Sequence, residues 1–302
     1  MMRERLEYAA AWLLMKGLGV LPRRLARMAG HVLARILFLL RPPLRRAAIE
    51  NLRLAYPDWS DAQRYAVIRR MVRNLGWLAA EFAHFPGLNR ANVERVVTQE
   101  GFEHFQAGLA RGKGVLFLTG HIGGWELGSF AHSAYAGPIR FLVRPVDNPR
   151  VDALVNRYRG LLGNQPIEKN DSVRAVLRAL GSGGAVGILA DNNTSRSEGV
   201  FVSFFGIPAC TTTGLARFAL HTDAAVVPGY TLWDESLGKY RLCYEPAVPL
   251  VRSGDDATDI VVNTQRFTNV IEAIVRRAPD QWLWVHRRWK TRPEGEPSIY
   301  PD

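Results

Sequence analysis

Cysteine is scarce in this 302-residue chain, and lysine is nearly so. The two cysteines, Cys210 and Cys243, stand far apart and form no CxxC. That rules out a disulfide framework and favours a reducing compartment, while a single Cys210–Cys243 pairing stays open. The seven histidines are scattered without metal-ligand spacing, so no bound metal is expected. There is no G-x-S-x-G, which disfavours hydrolysis through a serine nucleophile. No uncharged run reaches the ~20 residues of a confident transmembrane helix, and no small-residue cleavage site marks a secretory signal. Zinc-finger spacing, an RNP-like segment and a basic low-complexity tail are all missing, which argues against nucleic acid as a partner.

What is present is arginine. The net charge is +11, and lysine supplies only residues 16, 113, 169, 239 and 290 of the basic set. Guanidinium groups pair bidentately with phosphates and carboxylates, so an anionic partner or membrane surface is expected. With 47% hydrophobic residues the chain can bury one large core, or a main domain carrying a helical appendage.

The most informative stretch is GVLFLTGHIGGWELGSF at 114–130. Val115–Thr119 reads as a buried strand, Gly123-Gly124 as a tight turn, and Trp125-Glu126-Leu127 as a helix start. His121 and Glu126 then stand in an H-x-x-x-x-E arrangement. On one continuous helix they would lie roughly 140° apart. They meet only if His121 sits on the strand-end loop and Glu126 in the first helical turn. Imidazole can take a proton from an alcohol, and a carboxylate on its other nitrogen would fix the tautomer. Backbone N–H groups of the glycine turn suit a developing negative charge. No Ser or Cys stands between the two residues, so the substrate's own hydroxyl is the expected nucleophile. The plainer alternative is a strand–loop–helix junction whose histidine is simply hydrogen-bonded.

Around this stretch the chain alternates helix-like and strand-like pieces. At the N-terminus, Leu6–Leu21 and Leu25–Leu40 are mostly apolar but carry charges, and arginines flank them. They read as a membrane-embedded or interfacial helical hairpin, or else as an ordinary buried helical pair. Ser60 to Gln63 forms a capping box, opening an amphipathic helix to about Phe85 that covers one face of the sheet. Helices are expected at Phe102–Ala110, Val151–Leu162, Ser172–Leu180, Thr213–His221 and Thr258–Arg277. Strands are expected at Ile139–Val143, Ala185–Ala190, Ala225–Tyr230 and Tyr240–Glu245. The result is an α/β fold: a mixed, mostly buried sheet flanked by helices, with a membrane-associated helical segment over residues 1–48 and a catalytic domain over 49–302.

HIGGWE resembles the HxxxxD/E motif of glycerolipid acyltransferases, in the form used by the late acyltransferases of lipid A biosynthesis. ENLRLAYPDWS at 50–60, FLVRPVDNP at 141–149, FVSFFGIPACTTTG at 201–214 and WVHRRWKTRP at 284–293 resemble further blocks of that family in the same order. The resemblance implies a membrane-associated enzyme on the cytoplasmic face of the bacterial inner membrane. It would move a fatty acyl chain from acyl-acyl carrier protein, a thioester co-substrate, to a hydroxyl of a lipid A precursor, an anionic lipid, with no metal or other cofactor implied. His121 would act as base with Glu126 orienting it. A lysophospholipid or phosphorylated glycolipid acceptor, with acyl-CoA as donor, is the nearest alternative. A basic membrane-surface binding protein without activity is the alternative of another class.

Arg144 follows a strand, where it would hold a phosphate or the oxyanion, with Asn148 adding a hydrogen bond; a surface salt bridge is the plain alternative. Asp191 ends a strand and would position the acceptor, brace an arginine or start a turn. The family tends to have Asp-Gln there, and this chain has Asp191-Asn192. Glu198-Gly199 resembles the EG element that helps bind the acceptor. Phe201, Phe204, Phe205 and Ile207 would line an acyl slot or fill the core, leading to a helix start at Thr211–Thr213. Trp282, Trp284 and Trp289, set among Arg287, Arg288 and other basic residues, suit a membrane–water boundary or a phosphorylated head-group, or form a solvated basic segment. His286 has no carboxylate at motif-like distance and is not expected to be a second base.

Overall fold

The computed structural model describes residues 2–168 and 172–300. Four helices open the chain: α1 (Met2–Val20), α2 (Arg23–Leu40), α3 (Pro42–Ala55) and α4 (Asp61–Ala83). The capping box at Ser60 and Gln63 forms as expected. The remaining helices are α5 (Phe102–Ala110), α6 (Trp125–Ala136), α7 (Pro149–Arg159), α8 (Ser172–Gly181), α9 (Gly214–Thr222) and α10 (Asp256–Arg277). The strands are β1 (Val97–Glu100), β2 (Val115–Thr119), β3 (Arg140–Val143), β4 (Gln165–Glu168), β5 (Ala185–Leu189), β6 (Gly199–Phe204), β7 (Ile207–Thr212), β8 (Ala225–Asp234) and β9 (Lys239–Tyr244).

Seven strands form one mixed sheet in the order β1-β9-β8-β2-β5-β3-β4. Neighbours run parallel except β8 and β9, which pair antiparallel. β2 is central and buried on both sides, hence its unbroken apolar run. Leu116 and Leu118 face a core built with α8, α9 and α10. Val115 and Phe117 face the opposite core, built with α5, α6 and α7. Chain connections leave β2 toward β3 and leave β5 back toward β8. The crevice of such an α/β sheet opens at the carboxyl ends of these strands.

Two expectations are corrected. FVSFFGIPACTT is the β6–β7 hairpin rather than an apolar loop, and Thr213 takes the N-cap position of α9 without a side-chain cap bond. The helix after the capping box does not lie flat on the sheet; the principal neighbours of α4 are α1, α2, α3, α6 and the turn Pro279–Gln281. Against α2 the approach is backbone to backbone. A Cβ on Gly30 would come within 2.3 Å of the Gly76 carbonyl oxygen, so both positions require glycine. Glu81, buried in α4, accepts from Arg27 Nε at 2.6 Å, and Arg23 Nη1 stands 3.1 Å from its other oxygen without hydrogen-bond alignment. No helix among the described residues is long and apolar enough to cross a membrane.

Candidate active site

The register of two central strands builds the site. Thr119 on β2 pairs with Leu189 on β5, so two residues further along each chain His121 meets Asp191. The Asp191 carboxylate Oδ1 lies 2.9 Å from His121 Nδ1, and Oδ2 accepts the His121 backbone N–H at 2.7 Å. Trp282 Nε1 donates to Oδ2 at 2.8 Å. Gly120 makes room, since a Cβ there would stand 3.0 Å from Asp191 Cγ. A carboxylate only accepts, so Nδ1 carries the proton and Nε2 keeps its lone pair. Nε2 has no hydrogen-bond partner among the described residues.

Burial is the largest influence on His121 and by itself pushes the imidazole down. The charge and hydrogen bond of Asp191, with Glu126 adding, more than offset it, and Arg159 opposes them. The net displacement is upward from the ordinary imidazole value. Burial alone would raise Asp191; the His121 charge and bonds, together with the indole N–H, hold it well below the usual carboxylate range.

The expected bond between His121 and Glu126 is therefore not the one that forms. Glu126 stands in the first turn of α6, as the motif requires, but its carboxylate is held by Arg159 at the end of α7. Nε of Arg159 donates to Oε2 at 2.9 Å, and Nη2 makes a second, short bond to Oε1. Sequence reading missed Arg159, because nothing in its spacing links α7 to the motif. The glycine turn also differs from expectation. The N–H of Gly123 goes to the Gln281 carbonyl at 2.6 Å and that of Gly124 to the Thr231 carbonyl at 2.9 Å. The N–H groups left for a ligand are those of the first turn of α6, which no helical carbonyl accepts.

Glu126, Arg159, Trp125 and Thr119 help line an apolar pocket between α6 and the sheet. Its lining also includes Phe117, Ile139, Phe141, Gly187, Gly229, His132 and Tyr244. His132 Nδ1 lies 2.8 Å from the Tyr244 hydroxyl, and burial pushes its imidazole down to about 4. It is neutral at physiological pH.

The other expected site residues lie elsewhere. Arg144 follows β3, as expected, but its side chain is 87% exposed and stands 3.5 Å from Asp147, an exposed surface pair. Asn148 is buried as the N-cap of α7, and its Nδ2 donates to the Glu4 carbonyl and to Glu7, tying α1 down. Glu198 is exposed and accepts from Thr194 Oγ1, and Gly199 opens β6 where a Cβ would come within 2.4 Å of Thr194 Cγ2. Arg288 is only 1% exposed and donates to the Asn192 and Cys210 carbonyls, so it braces the scaffold instead of meeting a head-group. Arg287 packs over the Tyr300 ring at 5.6 Å. Trp282, Trp284 and Trp289 are core residues, not boundary residues, and Phe204 and Phe205 fill the same core across the sheet from the pocket. His286 Nε2 accepts the Asn193 N–H, and burial pushes its imidazole down to about 4.

Over residues 2–291 the sequence matches the family described as bacterial lipid A biosynthesis acyltransferase. The chain belongs to this family. It is similar to the lipid A biosynthesis lauroyltransferase of Escherichia coli K12, 31% identical across 85% of this chain and 83% of that one. The palmitoleoyltransferase of the same organism is 28% identical across 96% and 94%, and the myristoyltransferase 24% across 97% and 90%. As a member of the family the protein is an acyltransferase.

Proposed function

We propose that this acyltransferase moves a fatty acyl chain from an acyl thioester to a hydroxyl of a lipid A precursor at a membrane surface. The observation that carries the reading is a histidine held by Asp191, with Nε2 unpaired among the described residues, within a few residues of an apolar pocket. His121 Nε2 takes the proton of the acceptor hydroxyl, and the oxygen attacks the thioester carbonyl. Asp191 fixes the tautomer and stabilises the imidazolium. Glu126 adds negative charge on that side and holds Arg159. Arg159 replaces the exposed Arg144 as the cation for the tetrahedral oxyanion, assisted by the first-turn N–H groups of α6. Collapse breaks the carbon–sulfur bond, and the thiolate recovers the proton from His121. Acyl-acyl carrier protein is the donor we favour, because an acidic carrier suits a strongly basic surface.

Anionic partners also find a groove between α2 and α4 lined by Arg35, Arg45, Arg69, Arg70 and Arg73. Arg35, Arg45 and Arg69 make no side-chain hydrogen bond or ion pair among the described residues. Next to it α1 and α2 expose apolar side chains, among them Leu13, Met28, Val32 and Leu40. A helical pair with this surface suits an interfacial position on an anionic membrane.

The test offers membranes containing wild type or His121→Ala with acyl-carrier-protein and CoA thioesters, and with a lipid A precursor or a lysophospholipid. A His121-dependent acylated lipid A product from the carrier-protein donor is expected. Product only on the lysophospholipid would move the acceptor, and equal activity of the two proteins would remove the mechanism.

A further inference from the structure

β5 reads Ala185-Val186-Gly187-Ile188-Leu189, and the glycine is out of place. A central parallel strand buried on both faces is normally filled by branched side chains, and a glycine within it marks a bulge or a close approach by something else. The ladder shows no bulge: Gly187 is in register with Phe117 on one side and Phe141 on the other. Its φ is not in the left-handed region. Packing does not demand it either. A Cβ on Gly187 would meet Phe141 Cβ at 3.6 Å and nothing nearer, which is ordinary van der Waals contact. The two other glycines lining the pocket near it differ. A Cβ on Gly229 would come within 3.0 Å of the Phe117 ring, and one on Gly128 within 2.3 Å of Thr231 Oγ1. Gly187 thus keeps open a slot between two aromatic side chains that the protein's own packing does not use.

That slot lies in the lining of the apolar pocket, which runs along α6 to His132. His132 and Tyr244 close it with a buried hydrogen bond, and the Phe117 ring packs against both. His132 is six residues along α6 from Glu126, about 9 Å of helix rise. We propose that Gly187 is a specificity-determining residue: the slot between Phe117 and Phe141 receives the distal methylenes of a straight-chain acyl group, and the His132–Tyr244 pair ends it. This rests on the acyl-transfer reading given above and adds which residues measure the chain.

Two readouts on Gly187→Ala test it. In competition among a homologous series of straight-chain acyl thioesters, the optimum moves to shorter chains. The long-to-short ratio of kcat/KM falls by roughly tenfold or more, the discrimination a methyl group achieves in an apolar pocket. Direct binding of free straight-chain fatty acids, followed by calorimetry, shows the same shift without any turnover. If wild type transfers no acyl group yet binds fatty acids with this length dependence, the reaction assignment fails while the slot stands. If Gly187→Ala keeps the wild-type length profile in both readouts, the proposal is overturned. Phe117→Leu, which widens the slot from the other side, covers the case of a Gly187→Ala protein that does not fold. Its optimum moves to longer chains, and an unmoved optimum overturns the proposal.

Discussion

At the scale of single residues, the decisive fact is which carboxylate reaches His121. The motif places Glu126 near it in sequence, but Asp191, seventy positions away, takes Nδ1. Because Asp191 raises the imidazole and burial lowers it, the two effects separate in a variant. If His121 is the base proposed above, the wild-type rate is expected to rise with pH as it loses its proton, with a midpoint above the ordinary imidazole value. In Asp191→Asn the burial effect remains and the raising charge is gone, so the midpoint moves to lower pH. The plateau falls by about 10²–10⁴-fold, because the wrong tautomer is no longer excluded. A pH profile of kcat/KM measures both, and an unmoved midpoint would return the orienting role to Glu126. Asp191 was legible as a strand-end carboxylate. Its partner was not, since strand register is a property of the assembled sheet.

At the scale of elements, long helices were the readable part. Their apolar residues recur every three or four positions, and Ser60 and Gln63 mark a start that forms as expected. Short edge strands were not readable: β1 is Val-Thr-Gln-Glu, with no apolar run to announce it. The segment after α10 was misread for a related reason. Indoles mixed with arginines look like a boundary by composition, but Asn51 Nδ2 binds the Trp284 and His286 carbonyls and draws the segment into the core. One buried acid, Glu81, supplies the charge at the junction of α2 with α4. Glu81→Gln leaves Arg27 and Arg23 without their counter-charge where water is largely excluded. A loss of about 3–5 kcal/mol is expected. It would be seen as a lower urea midpoint with little change in slope, and a loss below about 1 kcal/mol would mean that the cations find water instead.

At the scale of the whole molecule, the N-terminal helices carry both charge and exposed apolar surface. α1 and α2 expose apolar side chains, and the arginine-lined groove lies between α2 and α4. Binding to vesicles containing anionic phospholipid is expected to weaken with salt, as the arginine contribution is screened. It is expected to fall further in a Val32→Glu, Leu40→Glu protein, each substitution removing about 1.5 kcal/mol or more of apolar burial. Co-sedimentation with vesicles at low and high salt checks this. Binding that disappears with salt and ignores the two substitutions would leave a purely electrostatic surface.

The sequence by itself determined the local parts: a strand followed closely by His121, a glycine turn, Glu126 at a helix start, and an order of blocks that pointed to the family. The first three are consequences of residue period, turn chemistry and spacing, all of which act over a few neighbouring positions; the family came from the resemblance of whole blocks. Only the tertiary structure decided which groups meet. It gave His121 to Asp191 and Glu126 to Arg159, sent Arg144 to the surface and Arg288 to the interior, and opened the pocket at Gly187. Those outcomes depend on sheet order and register, which follow from burying both faces of β2 at once, and no local pattern carries that information.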